Sequence, residues 1–121
     1  MSIGRTDPEI LAVRAAAPDR CEIELLVPAD LGYFRGHFDG FAILPGVVQL
    51  HWTLQLGRRY LGLPAGPAAS LQVKFRKPIR PAARLLLTLT RRAASGGEQL
   101  AFEYGWDGAP CSSGKILLPS R

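Results

Sequence analysis

His37 stands in a loop rich in aromatic residues and glycine, and His51 follows fourteen residues later inside an apolar run; they are the only two histidines in the chain. An imidazole with an ordinary pKa of about 6.5 can take up a proton near neutrality and give it back. Pro45-Gly46 opens the apolar run. Proline fits the first helical position, where its missing N–H costs nothing, and glycine leaves the N–H groups of the first turn bare. Unpaired donors at a helix start are a ready site for a partly negative oxygen. His51 and Gln55 are four apart, so they share one helix face and can hydrogen-bond each other. Proton transfer beside an oxygen that gains charge is the chemistry these types suit.

The element that must position them is a helix from Pro45 to Leu61. Val47, Val48, Leu50, Trp52, Leu54, Leu56 and Leu61 surround it, and a helix apolar on most sides belongs in a core. Arg58 and Arg59 in the last turn and Gly62 beyond it supply a stop. Ahead of the loop, residues 9–17 and 21–27 are strand-like runs split by Pro18-Asp19-Arg20, a hairpin pattern. After the helix comes a turn at 63–67 and then further strands. Leu71, Val73 and Phe75 alternate with Gln72, Lys74 and Arg76. The segment RLLLTLTRRA is separated from EQLAFEYGW by Ser95-Gly96-Gly97, and Asp107-Gly108 predicts a tight hairpin into CSSGKILL. One long helix wrapped by a curved antiparallel sheet of five to six strands, an α+β domain spanning residues 1–121, is the economical arrangement.

At 121 residues the chain can build one core but is small for an enclosed pocket, so oligomerisation would help. No apolar run reaches bilayer length, and MSIGRTDPEI lacks the layout of a signal peptide, which predicts a cytoplasmic protein without membrane insertion. Cys21 and Cys111 sit in neither a CxxC nor a ligand cluster and read as small, reduced, buried residues. The net charge of +5, carried mostly by arginine, favours an acidic partner. Recognition-helix, zinc-spacing and aromatic RNA-binding patterns are missing, so nucleic acid is not that partner.

GHFDGFAILPG at 36–46 resembles the GHFPGxPxxPG signature of the bacterial 3-hydroxyacyl-[acyl-carrier-protein] dehydratases, which have the hotdog fold. VKFRKPIRPAARLLLTL at 73–89 resembles the family's VKFRxPVxPGDxLxL strand pair, and the likeness extends over roughly residues 24–92. FRGHFDGFAILPGVVQLHW is most like the small dehydratases of aryl polyene and xanthomonadin-type pathways. The resemblance implies dehydration of a 3-hydroxyacyl thioester on acyl carrier protein to the trans-2-enoyl thioester, without metal or cofactor. It also implies a homodimer with side-by-side helices, in which His37 of one chain faces His51 and Gln55 of the other.

Such an elimination needs a base for the proton next to the carbonyl, an acid for the departing hydroxyl, and a donor for the thioester oxygen. His37 suits the base and the Gly46 N–H the donor. The acid is open, because the family places a carboxylate where this chain has His51. Either His51 holds a water or the hydroxyl while His37 returns the proton, or His51 is charged transiently; the first asks less, since a charged ring is costly to bury. Gln55 would then orient the His51 ring. His51 also reads simply as a core histidine bonded to Gln55 or to backbone.

Three rivals stand beside this. His37, Asp39 and His51 have the ligand types of a two-histidine, one-carboxylate iron site, though the helical placement of His51 suits it poorly. A thioesterase of the same fold would use a carboxylate near the helix start, but no Asp or Glu occurs between Gly40 and Glu98. A non-catalytic subunit binding acyl chains or carrier proteins is the third. Lys74, Arg76, Lys77, Arg80, Arg84, Arg91 and Arg92 are candidates for docking an acidic carrier protein.

Overall fold

The computed structural model describes residues 6–34 and 42–119. Alternating apolar runs become the strands β1 (Glu9–Ala17), β2 (Arg20–Leu26), β3 (Ser70–Phe75), β4 (Arg84–Ala94), β5 (Gly97–Trp106) and β6 (Ala109–Pro119). They form one antiparallel sheet in the order β1-β2-β4-β5-β6-β3. The helix α1 runs from Gly46 to Leu61, and a short 3-10 turn at Gly32–Phe34 follows β2. One helix against a curved, open six-stranded sheet is the hotdog arrangement that the resemblance implies. No helix is long and apolar enough to cross a membrane.

Register explains the core. Ile23 of β2 lies opposite Leu87 of β4, and Leu89 lies opposite Phe102 of β5. With period two, Cys21, Ile23, Leu25, Leu85, Leu87, Leu89, Leu100, Phe102 and Tyr104 all reach one face and are buried there. Val48, Trp52 and Leu56 of α1 fill the space above them. Each fully buried leucine contributes about 2 kcal/mol. Gly57 lets the helix come close: a Cβ there would stand 2.7 Å from Leu63 and 2.9 Å from Leu100. Both cysteines are free and buried, and burial pushes their thiols above the ordinary range.

The turns follow the sequence signals. Asp107 and Gly108, at φ of 53° and 77°, make the tight β5–β6 hairpin that both residues tolerate. Gly62 ends α1 in the left-handed conformation, at φ 66°. Pro45 is displaced by one position from its expected place: its ψ of 146° is extended and its carbonyl accepts from the N–H groups of Val48 and Gln49, so it is the N-cap and Gly46 the first helical residue. Ala82 is the position at odds with its residue type. It adopts φ 66° in the turn before β4, where the resembled dehydratase pattern has glycine. Ala82→Gly is therefore expected to raise the melting temperature by about 2–4 °C, the relieved strain of roughly 1 kcal/mol outweighing the greater freedom glycine gives the unfolded chain. A lowered melting point in a thermal scan would contradict this.

The helix is less enclosed than its apolar composition suggests. Val48, Gln49, Trp52, Thr53, Leu56 and Gly57 face the sheet, while Val47, His51 and Gln55 form an exposed stripe on the far side, with Val47 73% exposed. The apolar side of β3 is open as well: Leu71 is 48% and Phe75 56% exposed, and β3 is a sheet edge paired only with β6. An unpaired edge with exposed apolar side chains is a surface made for a neighbour.

Candidate functional site

The start of α1 is the chemically prepared end of the molecule. Pro45 carries no side-chain cap, and the Gly46 and Val47 N–H groups lie ahead of the first helical hydrogen bonds, which Val48 and Gln49 make to Pro45 O at 3.1 and 3.2 Å. The entering segment is fixed from both sides. The Leu44 N–H donates to Ile79 O at 2.7 Å, and Leu44 O accepts from Gln49 Nε2 at 3.2 Å. The Phe75 ring lies over Gly46, with three ring carbons within 2.6–3.2 Å of where a Cβ would stand. Any side chain there would have to push the ring aside. A carbonyl oxygen placed there would meet free donors at the positive end of the helix.

His51 is five residues further, about 7.5 Å along the axis, in the exposed stripe with Val47 and Gln55. His51 and Gln55 share a face as their spacing requires, but within the single chain no hydrogen bond joins them, and the ring is exposed instead of sitting in the core. The reading of His51 as a core histidine is thereby corrected: the stripe turns away from the chain's own sheet. His37 and Asp39 lie outside the described residues, as does the iron triad that would need both. Among the described residues no group of three metal-binding side chains occurs.

The polar centre that sequence reasoning missed is buried beneath this end. Gln49, Thr53 and Ser112 are buried, and Tyr104 is wholly so. Ser112 Oγ donates to Gln49 Oε1 at 2.7 Å, Thr53 Oγ1 donates to Gln49 O at 2.7 Å, and Tyr104 OH donates to the same carbonyl at 2.9 Å. Burial raises the Tyr104 phenol well above its ordinary range, so it stays a neutral donor. Every buried side-chain nitrogen and oxygen among the described residues has a partner. The only sequence signal was two polar residues, Gln49 and Thr53, four apart on an otherwise apolar helix face.

The basic residues do not form one surface. Arg91 pairs with Glu98 and donates from Nη1 to Leu61 O at 2.6 Å, closing the far end of α1, so it leaves the docking set. Arg84 lines an open groove of about 890 Å³ with Glu22, Glu24, Leu86 and Glu103. These residues alternate with the buried ones, so that groove lies on the sheet face away from the helix. Arg76 and Lys77 remain in the exposed segment that follows Phe75, Lys77 with its ammonium 4.8 Å from the Trp106 ring centre, while Lys74 alternates with Phe75 in β3 and points to the other sheet face.

Comparison with known proteins places this geometry. A chain in the structure of the dehydratase heterocomplex ApeI:P from Xenorhabdus doucetiae superposes with a TM-score of 0.82 at 31% identity, covering 94% of this chain and 99% of that one. An uncharacterized protein from Erwinia carotovora subsp. atroseptica superposes at 0.71 with 30% identity, over 93% and 96% of the two chains. The 3-hydroxyacyl-[acyl-carrier-protein] dehydratase FabZ of Hydrogenobaculum sp. is 32% identical over 66 residues, 47% of this chain and 45% of the relative. This chain thus spans about half the length of the curated relatives it matches. The model of the ApeI-like family, described as ApeI dehydratase, matches residues 13–115. With that match over most of its length and an exposed histidine near a bare helix-start amide, the chain belongs to the ApeI-like dehydratase family.

Proposed function

We propose that this chain dehydrates 3-hydroxyacyl thioesters carried on acyl carrier protein, yielding trans-2-enoyl thioesters in aryl polyene or fatty-acid-like biosynthesis. The observation that carries the reading is the uncovered Gly46 amide at the start of α1, held from both sides at Leu44 and roofed by Phe75. The thioester oxygen accepts from this N–H, which makes the proton on C2 easier to remove. His37 takes that proton as base. The C3–O bond then breaks, the electron pair from C2 forms the C2–C3 double bond, and the hydroxyl leaves as water with the proton that His37 returns. His51 holds the hydroxyl or a water on the way out. One donor of this kind is worth about 3 kcal/mol in the transition state.

A second hotdog subunit completes the pocket in this reading. The open β3 edge, the half-exposed Leu71 and Phe75, and the exposed stripe of Val47, His51 and Gln55 support it, since these apolar surfaces lack a cover from the chain itself. The partner is a second copy, with His37 of one chain facing His51 and Gln55 of the other. A different subunit is the alternative, since the similar dehydratase ApeI:P is a heterocomplex. Mass spectrometry of a 3-hydroxyacyl carrier protein incubated with the enzyme tests the function. Loss of one water supports a dehydratase. Release of the free carrier thiol marks a thioesterase, and an unchanged mass marks a subunit that only binds.

Docking of the carrier protein falls to Arg76 and Lys77, exposed residues that directly follow Phe75, whose ring lies over Gly46. Arg76→Glu is expected to raise the KM for carrier-bound substrate by about tenfold while leaving the KM for a pantetheine thioester within about twofold, because reversing a rim charge acts mainly on encounter with an acidic partner. Equal effects on the two substrates would remove these residues from the docking surface.

A further inference from the structure

We propose that Gln49 is the positioning residue for the Gly46 amide, setting the direction of that N–H through the carbonyl of Leu44. The proposal rests on the dehydratase reading, in which Gly46 receives the thioester oxygen. Gln49 is only 4% exposed, on the helix face turned to the sheet, among the buried Val48, Trp52 and Leu56. Burying a carboxamide there is costly unless both its ends are bonded. Both are. Nε2 donates to Leu44 O at 3.2 Å, and Oε1 accepts from Ser112 Oγ at 2.7 Å.

These bonds act at the site. Leu44 O belongs to the peptide just before Pro45, and the backbone N–H of Gln49 donates to Pro45 O at 3.2 Å. One residue therefore grips two successive carbonyls, the second with its main chain and the first with its side chain. Since Pro45 has no side-chain oxygen with which to cap the helix, the brace comes from inside the first turn instead. The rigidity comes from the sheet. Ser112 on β6 holds the Gln49 amide, and Tyr104 on β5 with Thr53 holds the Gln49 carbonyl. With Leu44 also tied to Ile79, the peptide planes on either side of Pro45 have little freedom, and the next N–H is that of Gly46. A donor fixed in this way costs no reorganisation when charge develops on the oxygen.

The test uses the full chain and two unreactive ligands, a butanoyl-pantetheine thioester and the matching S-butyl thioether, which lacks the carbonyl oxygen. Calorimetry gives the preference for the thioester, and steady-state kinetics give kcat and KM. Gln49→Met, similar in volume but unable to bond Leu44 or Ser112, is expected to lose about tenfold of the thioester preference and of kcat. Thioether affinity should stay within about threefold, since the donor is misdirected and the rest of the pocket is untouched. Ser112→Ala, which frees the far end of the Gln49 amide and keeps the helix intact, should lose about threefold of both and carries the test if the methionine variant does not fold. Unchanged preference in the variants that fold, or equal weakening of both ligands, would overturn the positioning role and leave the dehydratase reading standing. If the wild-type protein itself binds thioester and thioether alike, the donor role of Gly46 falls, and this proposal with it.

Discussion

Replacing His37 with alanine is expected to lower turnover of a 3-hydroxyacyl carrier protein by about 10³-fold or more, with KM nearly unchanged. Proton transfer by a placed side chain contributes about 10²–10⁴-fold, and in the proposed reaction His37 acts twice, taking the C2 proton and returning it to the hydroxyl. Its loss belongs at the upper part of that range. His51→Ala should cost far less, about tenfold to a hundredfold, because a ring that holds the leaving group affects one step of the two. The enoyl thioester formed by each variant can be followed by mass or absorbance, with folding checked by circular dichroism. A His37→Ala protein that keeps more than about a tenth of wild-type turnover would exclude His37 as the base. A loss confined to His51→Ala would move the acid–base role onto the helix.

Trp52→Ala should destabilise the fold more than any other single truncation in the helix. Trp52 is fully buried between α1 and the sheet, and its Nε1 donates to Thr6 O at 3.0 Å, which ties the segment before β1 to the helix. Emptying such a site costs about 3–5 kcal/mol through lost transfer energy and the cavity left behind. A chain of 121 residues has an unfolding entropy of about 0.25 kcal/mol per K, so the melting temperature should drop by roughly 12–20 °C. Trp52→Phe, which keeps most of the apolar ring, should lose much less. Because Trp52 faces the sheet and His51 the open side, catalysis measured well below the melting point should survive. A drop under about 3 °C by calorimetry would mean that this part of the core is not where the stability lies.

Much of the fold was legible because its signals are local. Period-two alternation marks β2, β4 and β5, and Asp107-Gly108 and Gly62 stand where left-handed backbone is needed. What the sequence could not reveal depends on which faces meet. Leu71, Val73 and Phe75 alternate as a core-facing strand would, yet β3 is an edge and that side is open. The run around Val47, His51 and Gln55 reads as core from composition alone, because apolarity does not say whether the cover comes from the same chain. Within the site, the spacing of His51 and Gln55 and the glycine at the helix start could be read directly. Gln49 could not, since a lone polar residue has no period and its partner Ser112 is sixty-three positions away. Arg91 was misread for a similar reason: it looks like surface charge until β4 is seen to run past the end of α1.

The helix is fastened to the sheet at both extremities, by Gln49 through Ser112 at its first turn and by Arg91 on the carbonyl of Leu61 at its last. A rod tethered twice in this way cannot slide lengthwise to lodge a longer acyl tail. If the proposed substrate is right, tail length must be gauged by the bulk of the side chains that border the rod. Homologues handling different tails should then differ at positions such as Val47 and Leu54, and keep the two tethers.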